Sequence, residues 1–288
     1  MTFSQAQEAE APDIVTSYNK TLDALDAGDH ETALNLCNAI IEDYGTAQEG
    51  MEVFGSVFGH WYYLRGLALM GGEKLHKASA DFETCYQSDY EAPEENPNHR
   101  PNQFRMHALV QWGNCQMLLE DYAKAREVYQ KVLAEDVGNR LSYNWKLYTA
   151  VNMGRCMIKT GAVEEGYDYI VRALDAERFP LSIKMIVFQI LAEDWSPLVS
   201  ADRTREFLDQ YRHIALSAPT EERAKRDPSF FYLANGALEK GDPMLALSWY
   251  RMLSHPGQII ADFNETIELY TARKTSDPRP EIIPRLDE

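Results

Sequence analysis

One spacing recurs along this chain of 288 residues: a small residue, a second small residue 12 positions on, a ring or mid-sized residue 16 on, and a small or aliphatic residue 19 on. The clearest copy is Gly113, Ala125, Tyr129 and Val132. Others are Gly66, Ala78, Phe82, Cys85; Gly154, Gly166, Ile170, Ala173; and Ala234, Ala246, Tyr250, Leu253. Thr21, Ala33, Cys37, Ile40 is a weaker first copy. A unit this short cannot bury its apolar face alone, so successive units must stack and share a core. Gly28, Gly161 and Gly241 fall near the middle of three copies and mark a turn between two short helices. Gly71-Gly72 reads as the same turn in another copy.

The small-small-ring spacing resembles the tetratricopeptide repeat family. Glycine at the first position lets the second helix of a pair approach closely. Ala78, Ala125 and Ala246 play the reciprocal role, and Phe82, Tyr129 and Tyr250 fill the groove toward the next pair. The first positions step by 45, 47, 41 and 80 residues, against roughly 34 in the family, so the loops or helices are longer here. Steps of roughly 40–47 also suit HEAT-type repeats, and the small-small-ring spacing favours the tetratricopeptide reading. The resemblance implies an all-α fold, a right-handed alpha-alpha superhelix of about five to six helix pairs with a closing helix. The pairs lie near 12–44, 56–88, 104–136, 145–176 and 228–254, with a degenerate pair over 181–217. Leu181–Glu193 and Asp202–Leu216 form that degenerate pair, split by Trp195-Ser196-Pro197.

Local signals agree. Pro12 sits where a first helical turn tolerates proline, and Asp227-Pro228 reads as an N-cap followed by a first-turn proline. Val128, Val132 and Leu133 form one apolar stripe. Residues 1–11 read as a flexible tail, 12–274 as a single repeat domain, 91–103 as an inserted loop, and 259–273 as the cap. Residues 275–288 carry three prolines, Pro278, Pro280 and Pro284, and read as an extended tail.

The charge balance argues against one class of partner. With 28 Lys and Arg against 45 Asp and Glu, the formal charge is −17, and such a chain repels a phosphate backbone. No nucleic acid is expected. No apolar run approaches the ~18 residues of a membrane-spanning helix, so no membrane insertion is expected either. The chain reads as cytoplasmic, or as periplasmic or secreted if Ser4-Gln5-Ala6 is the stub of a removed export signal. Cys37, Cys85, Cys115 and Cys156 have no metal-type spacing and read as small buried hydrophobes.

Catalytic patterns are lacking. The seven histidines form no helical metal pair. Gly55-Ser56-Val57-Phe58-Gly59 has the wrong order for a nucleophile elbow. The chain is therefore read as no enzyme, with no cofactor and no metal. The resemblance instead implies a non-catalytic scaffold for a peptide or protein partner, held in the concave groove lined by the first helix of each pair. The candidates there are Tyr63, His107, Asn114, Tyr148, Asn152, Arg155 and Lys159. Asn114 and Asn152 fall where chaperone-binding members of the family grip a peptide carboxylate, but Val110 replaces those members' lysine. The alternative is a structural or assembly subunit, self-associating through the ends of the repeat domain or the C-terminal tail.

Overall fold

The structure, a computed structural model, describes residues 14–44, 50, 58–88, 102–135, 141–177 and 179–257. The expected tails, the cap over 259–273 and most of the 91–103 loop lie outside them. Every regular element among the described residues is helical. They fall into two compact units that divide between Gly161 and Ala162, so each unit is described by itself.

In the first unit, α1 (Ile14–Asp26) and α2 (His30–Asp43) are followed by α3 (Gly59–Gly71) and α4 (Leu75–Gln87). Then come α5 (Arg105–Leu118), α6 (Tyr122–Glu135) and α7 (Tyr143–Lys159). Each helix packs against the next in sequence, and α3 and α7 also touch α5. The turns repeat in register. A left-handed residue lies seven positions after each first small residue: Gly28 at φ 73°, Glu73 at 59°, Glu120 at 61°, Gly161 at 93° and, in the second unit, Gly241 at 78°. After Gly28, Glu73, Glu120 and Gly241 the next residue donates back to the helix before the turn, as Asp29 N does to Ala24 O at 2.8 Å and Asp121 N to Gln116 O at 2.9 Å. This backbone pattern satisfies the last carbonyls of the first helix. Asp29, Asp121 and Asp242 then cap the second helix, accepting from the backbone N–H three residues on at 3.1, 3.1 and 2.9 Å. Lys74 takes that place before α4 and offers no side-chain cap. The turn expected at Gly71-Gly72 is therefore centred one residue later, on Glu73.

The repeat positions form the interior. Thr21, Ala33, Cys37, Ile40, Ala78, Phe82, Cys85, Ala125, Tyr129 and Val132 are all fully buried. The aromatic at the third position sits over the first small residue of its own pair. A Cβ on Gly66 would lie 2.7 Å from the Phe82 ring, and one on Gly113 would lie 2.5 Å from the Tyr129 ring. These rings therefore seat the two helices of one pair together, and Tyr129 also meets α7 of the next pair, near Asn152 and Cys156. The stripe of α6 is Ala125, Val128, Tyr129 and Val132, whereas Leu133 is 38% exposed. All four cysteines are buried and unbridged. Burial pushes the Cys37 and Cys115 thiols up to about 12 and that of Cys156 to about 11.

In the second unit, α8 (Val163–Asp175) precedes α9 (Leu181–Ile190), which continues through a widened turn, Leu191–Trp195, and a tight turn, Ser196–Leu198. The widened turn buries Leu191, Ala192 and Trp195 together, and the Trp195 ring stacks on Tyr167 at 4.4 Å. Next are α10 (Ala201–Leu216), the short α11 (Thr220–Ala224), α12 (Asp227–Glu239) and α13 (Pro243–Tyr250). Phe188 stacks on Phe207 and Phe230 on Trp249. Asp227 begins α12 instead of capping it; its carboxylate accepts from Ser254 N at 2.9 Å and from the Ser254 hydroxyl.

The ring-on-glycine contact and the left-handed glutamates make opposite predictions. Gly113→Ala puts a methyl into the Tyr129 ring and is expected to cost about 1–3 kcal/mol. Glu120→Gly relieves a left-handed backbone and is expected to stabilise by up to about 1 kcal/mol. Urea denaturation of the two variants measures both signs.

Candidate functional site

The first helices of unit 1 carry a row of rings. On α3, His60 and Tyr63 are one turn apart. On α5, His107, Gln111, Asn114 and Leu118 share a face, with Phe104 at its start. On α7, Trp145, Tyr148, Asn152, Arg155 and Lys159 fall at the three- and four-residue intervals of one helical face.

Phe104 joins the first two helices, and the chain fixes it in place. Gly59 leaves room for the Asn102 amide, whose Nδ2 would meet a Cβ there at 2.8 Å. Asn102 donates from Nδ2 to the Cys85 carbonyl at 2.9 Å and accepts from Phe104 N at 2.9 Å. That buried amide ties the start of α5 to the end of α4. The Phe104 ring then stacks on Tyr63 with centroids 4.6 Å apart and planes 5° apart, and meets the His60 ring edge-on at 4.6 Å. His107 stands edge-on to Trp145 at 5.2 Å, and Trp145 edge-on to Tyr148 at 6.2 Å. Phe104 and His107, 6.4 Å apart, close the row. Edge-to-face and stacked pairs at these distances are mutually favourable.

A polar node lies beside the rings. Asn114 Oδ1 accepts from the Tyr129 hydroxyl at 2.6 Å and from Asn152 Nδ2 at 3.1 Å, while Asn114 Nδ2 donates to Gln111 Oε1 at 2.8 Å. Burial pushes the Tyr63 hydroxyl up to about 12, partly offset by a hydrogen bond with Gln111. Burial raises the Tyr129 hydroxyl as well, and a hydrogen bond with Asn152 works against it. The node thus links α3, α5, α6 and α7. Such a network is worth keeping only when its members are satisfied, because an unpaired buried amide is costly.

The seven sequence candidates therefore divide. Tyr63, His107 and Tyr148 belong to the ring row, with Tyr63 8% exposed and Tyr148 44% exposed. Asn114 and Asn152 are brought into contact, and Asn152 is 2% exposed. Their amides are directed at each other and at Tyr129, so they position the helices that carry the rings. Arg155 is partly buried near Tyr129 and Cys156, and Lys159 is exposed at the end of α7. Sequence reasoning missed Phe104 and His60. It also missed that Asn235, one position after Ala234, accepts from the Tyr250 hydroxyl at 2.6 Å, repeating the Asn114–Tyr129 bond. The signal was present: Asn and Tyr recur 15 apart in both copies.

No group of His, Cys, Asp and Glu among the described residues is arranged to hold a metal ion. No described helix is long and apolar enough to cross a membrane. No family model matches the chain, and no curated protein matches it.

The ring row has a pH signature. Burial lowers His60 from 6.5 to about 4, and burial lowers His107 too, offset in part by the Gln103 carbonyl. His60 Nε2 has no hydrogen-bond partner among the described residues. The unfolded chain takes up these protons first, so stability is full above the unfolded value of 6.5 and is lost as pH falls from 6.5 toward 4. Thermal melts across that range are expected to show a smaller loss for His60→Phe than for the wild type, since the variant has no proton to bind there.

Proposed function

We propose that this chain is a non-catalytic protein–protein interaction scaffold, built of tandem helix pairs of the tetratricopeptide kind, that binds an extended peptide or a protein segment along its first helices. The observation that supports this most is the row His60, Tyr63, Phe104, His107, Trp145 and Tyr148, shared by three consecutive first helices. The in-register turns and the buried repeat positions support the helix-pair reading.

Each part of the face has a task. Partly exposed rings bury apolar or prolyl side chains of a ligand, and full burial of one such group contributes roughly 1.5–3 kcal/mol. The half-buried Gln111 amide keeps one N–H beyond its bonds to Asn114 and Tyr63, which suits a carbonyl of a peptide backbone. Arg155 and Lys159 place positive charge at one end of the α7 face, which suits an acidic group on the ligand. Asn114 and Asn152 act indirectly by holding α5, α6 and α7 in register. Binding needs no bond to be made or broken.

Selection of a random peptide library on the full chain tests this. Peptides with aromatic, aliphatic or prolyl anchors are expected to be enriched. His107→Ala/Tyr148→Ala, with unchanged helical circular dichroism, is expected to weaken them roughly tenfold or more. Enriched peptides that bind the variant as tightly as the wild type, or no enrichment at all, would contradict the reading.

A further inference from the structure

A second feature lies on other side chains of unit 1. A half-open hollow of about 330 Å³ sits among α2, α3 and α4. Leu34 and Asn38 of α2, Arg65 and Leu69 of α3, and Lys74 and Lys77 at the start of α4 line it. Three cations in one hollow are conspicuous in a chain of net charge −17.

The hydrogen bonds there are unequal. Asp81, the one carboxylate in the lining, is committed to Arg65, accepting from Nε and Nη2 at 2.8 Å each. The Asp81 side chain is only 9% exposed. Arg65 Nη1 donates to Asn38 Oδ1 at 3.3 Å, which occupies the amide oxygen of Asn38. What remains for a ligand is donors: the Asn38 amide N–H groups and the Lys74 and Lys77 ammonium groups. Both lysines are exposed, and neither pairs with a carboxylate among the described residues. Lys74 also stands where three other pairs carry an aspartate, so this hollow gains a positive charge where they have a negative one.

A hollow that offers donors and a net charge of two positive units favours an anionic ligand rich in acceptor oxygens. We infer that it binds a phosphate group, either as the free dianion or as the head of a small phosphomonoester. A liquid water molecule occupies about 30 Å³, so the hollow has room for a phosphate with several waters or for a short carbon chain. Arg65 supplies a fixed charge held by Asp81, the lysines supply mobile donors, and Leu34 and Leu69 provide an apolar wall. This reading is independent of the ring row and of any peptide bound there.

Isothermal titration of the full chain with inorganic phosphate, at constant ionic strength set with chloride, tests it. One saturable site is expected, weakened roughly tenfold or more in Lys74→Gln/Lys77→Gln. Both lysines are exposed, and an unchanged helical spectrum confirms that the variant folds. Glycerol phosphate separates the two sources. Tighter binding than phosphate shows that the apolar wall is used and the ligand is a phosphoester; equal binding shows a free-phosphate site. Absence of saturable binding, equal affinity in the variant, or acetate binding as tightly as phosphate would overturn the inference.

Discussion

The seating of an aromatic ring on a residue without a side chain is the contact on which the first unit depends. Tyr129 over Gly113 and Phe82 over Gly66 each hold two helices so close that a Cβ on the glycine would run into the ring. Dispersion and apolar burial then act across a wide ring face with no void. Ala78 and Ala125, on the second helices, keep that approach close from the other side. The hydroxyl of Tyr129 adds direction to the contact. It ends on Asn114, which in turn takes the amide of Asn152. One buried ring thus fixes a helix pair and, through its single polar atom, the helix that follows.

The candidate face is a consequence of this packing. Once the second helices are seated, α3, α5 and α7 lie beside one another and present His60, Tyr63, His107, Trp145 and Tyr148 in sequence. Phe104 fills the place between α3 and α5 because Asn102 pins the chain just before it. The same node that closes the interior keeps the rings at fixed spacing, and preorganisation of this kind lowers the entropy lost on binding. The α2–α4 side of the unit differs in chemistry, since it gathers cations and spare donors around a buried ion pair.

Much of the helical organisation was legible because it rests on residue size and period. The offsets of 12, 16 and 19 marked positions that are buried in every copy, and Gly28, Gly161 and Gly241 marked turns that do adopt positive φ. Other features follow rules that composition hides. Glu73 and Glu120 take the same left-handed turn without glycine, because the surrounding backbone bonds impose it. Asp227 carries a capping residue's chemistry, yet its carboxylate is drawn to Ser254, a contact 27 residues away. The ring row was half visible. Tyr63, His107 and Tyr148 followed from helical position, but Phe104 precedes its helix and is placed by a loop amide. The roles of Asn114 and Asn152 depended on partners on neighbouring helices, which no single helical face reveals.

A double-mutant cycle between Gly113 and Tyr129 is the most direct measurement of the central contact. Gly113→Ala is introduced into the wild type and into Tyr129→Val, and stability is measured by urea denaturation. If the ring rests on the glycine, the alanine destabilises the wild type but is neutral or stabilising in the valine background, where the space is open and alanine favours helix. The same loss of stability in both backgrounds would contradict the account, because the helices would then be held at that distance by something other than the ring.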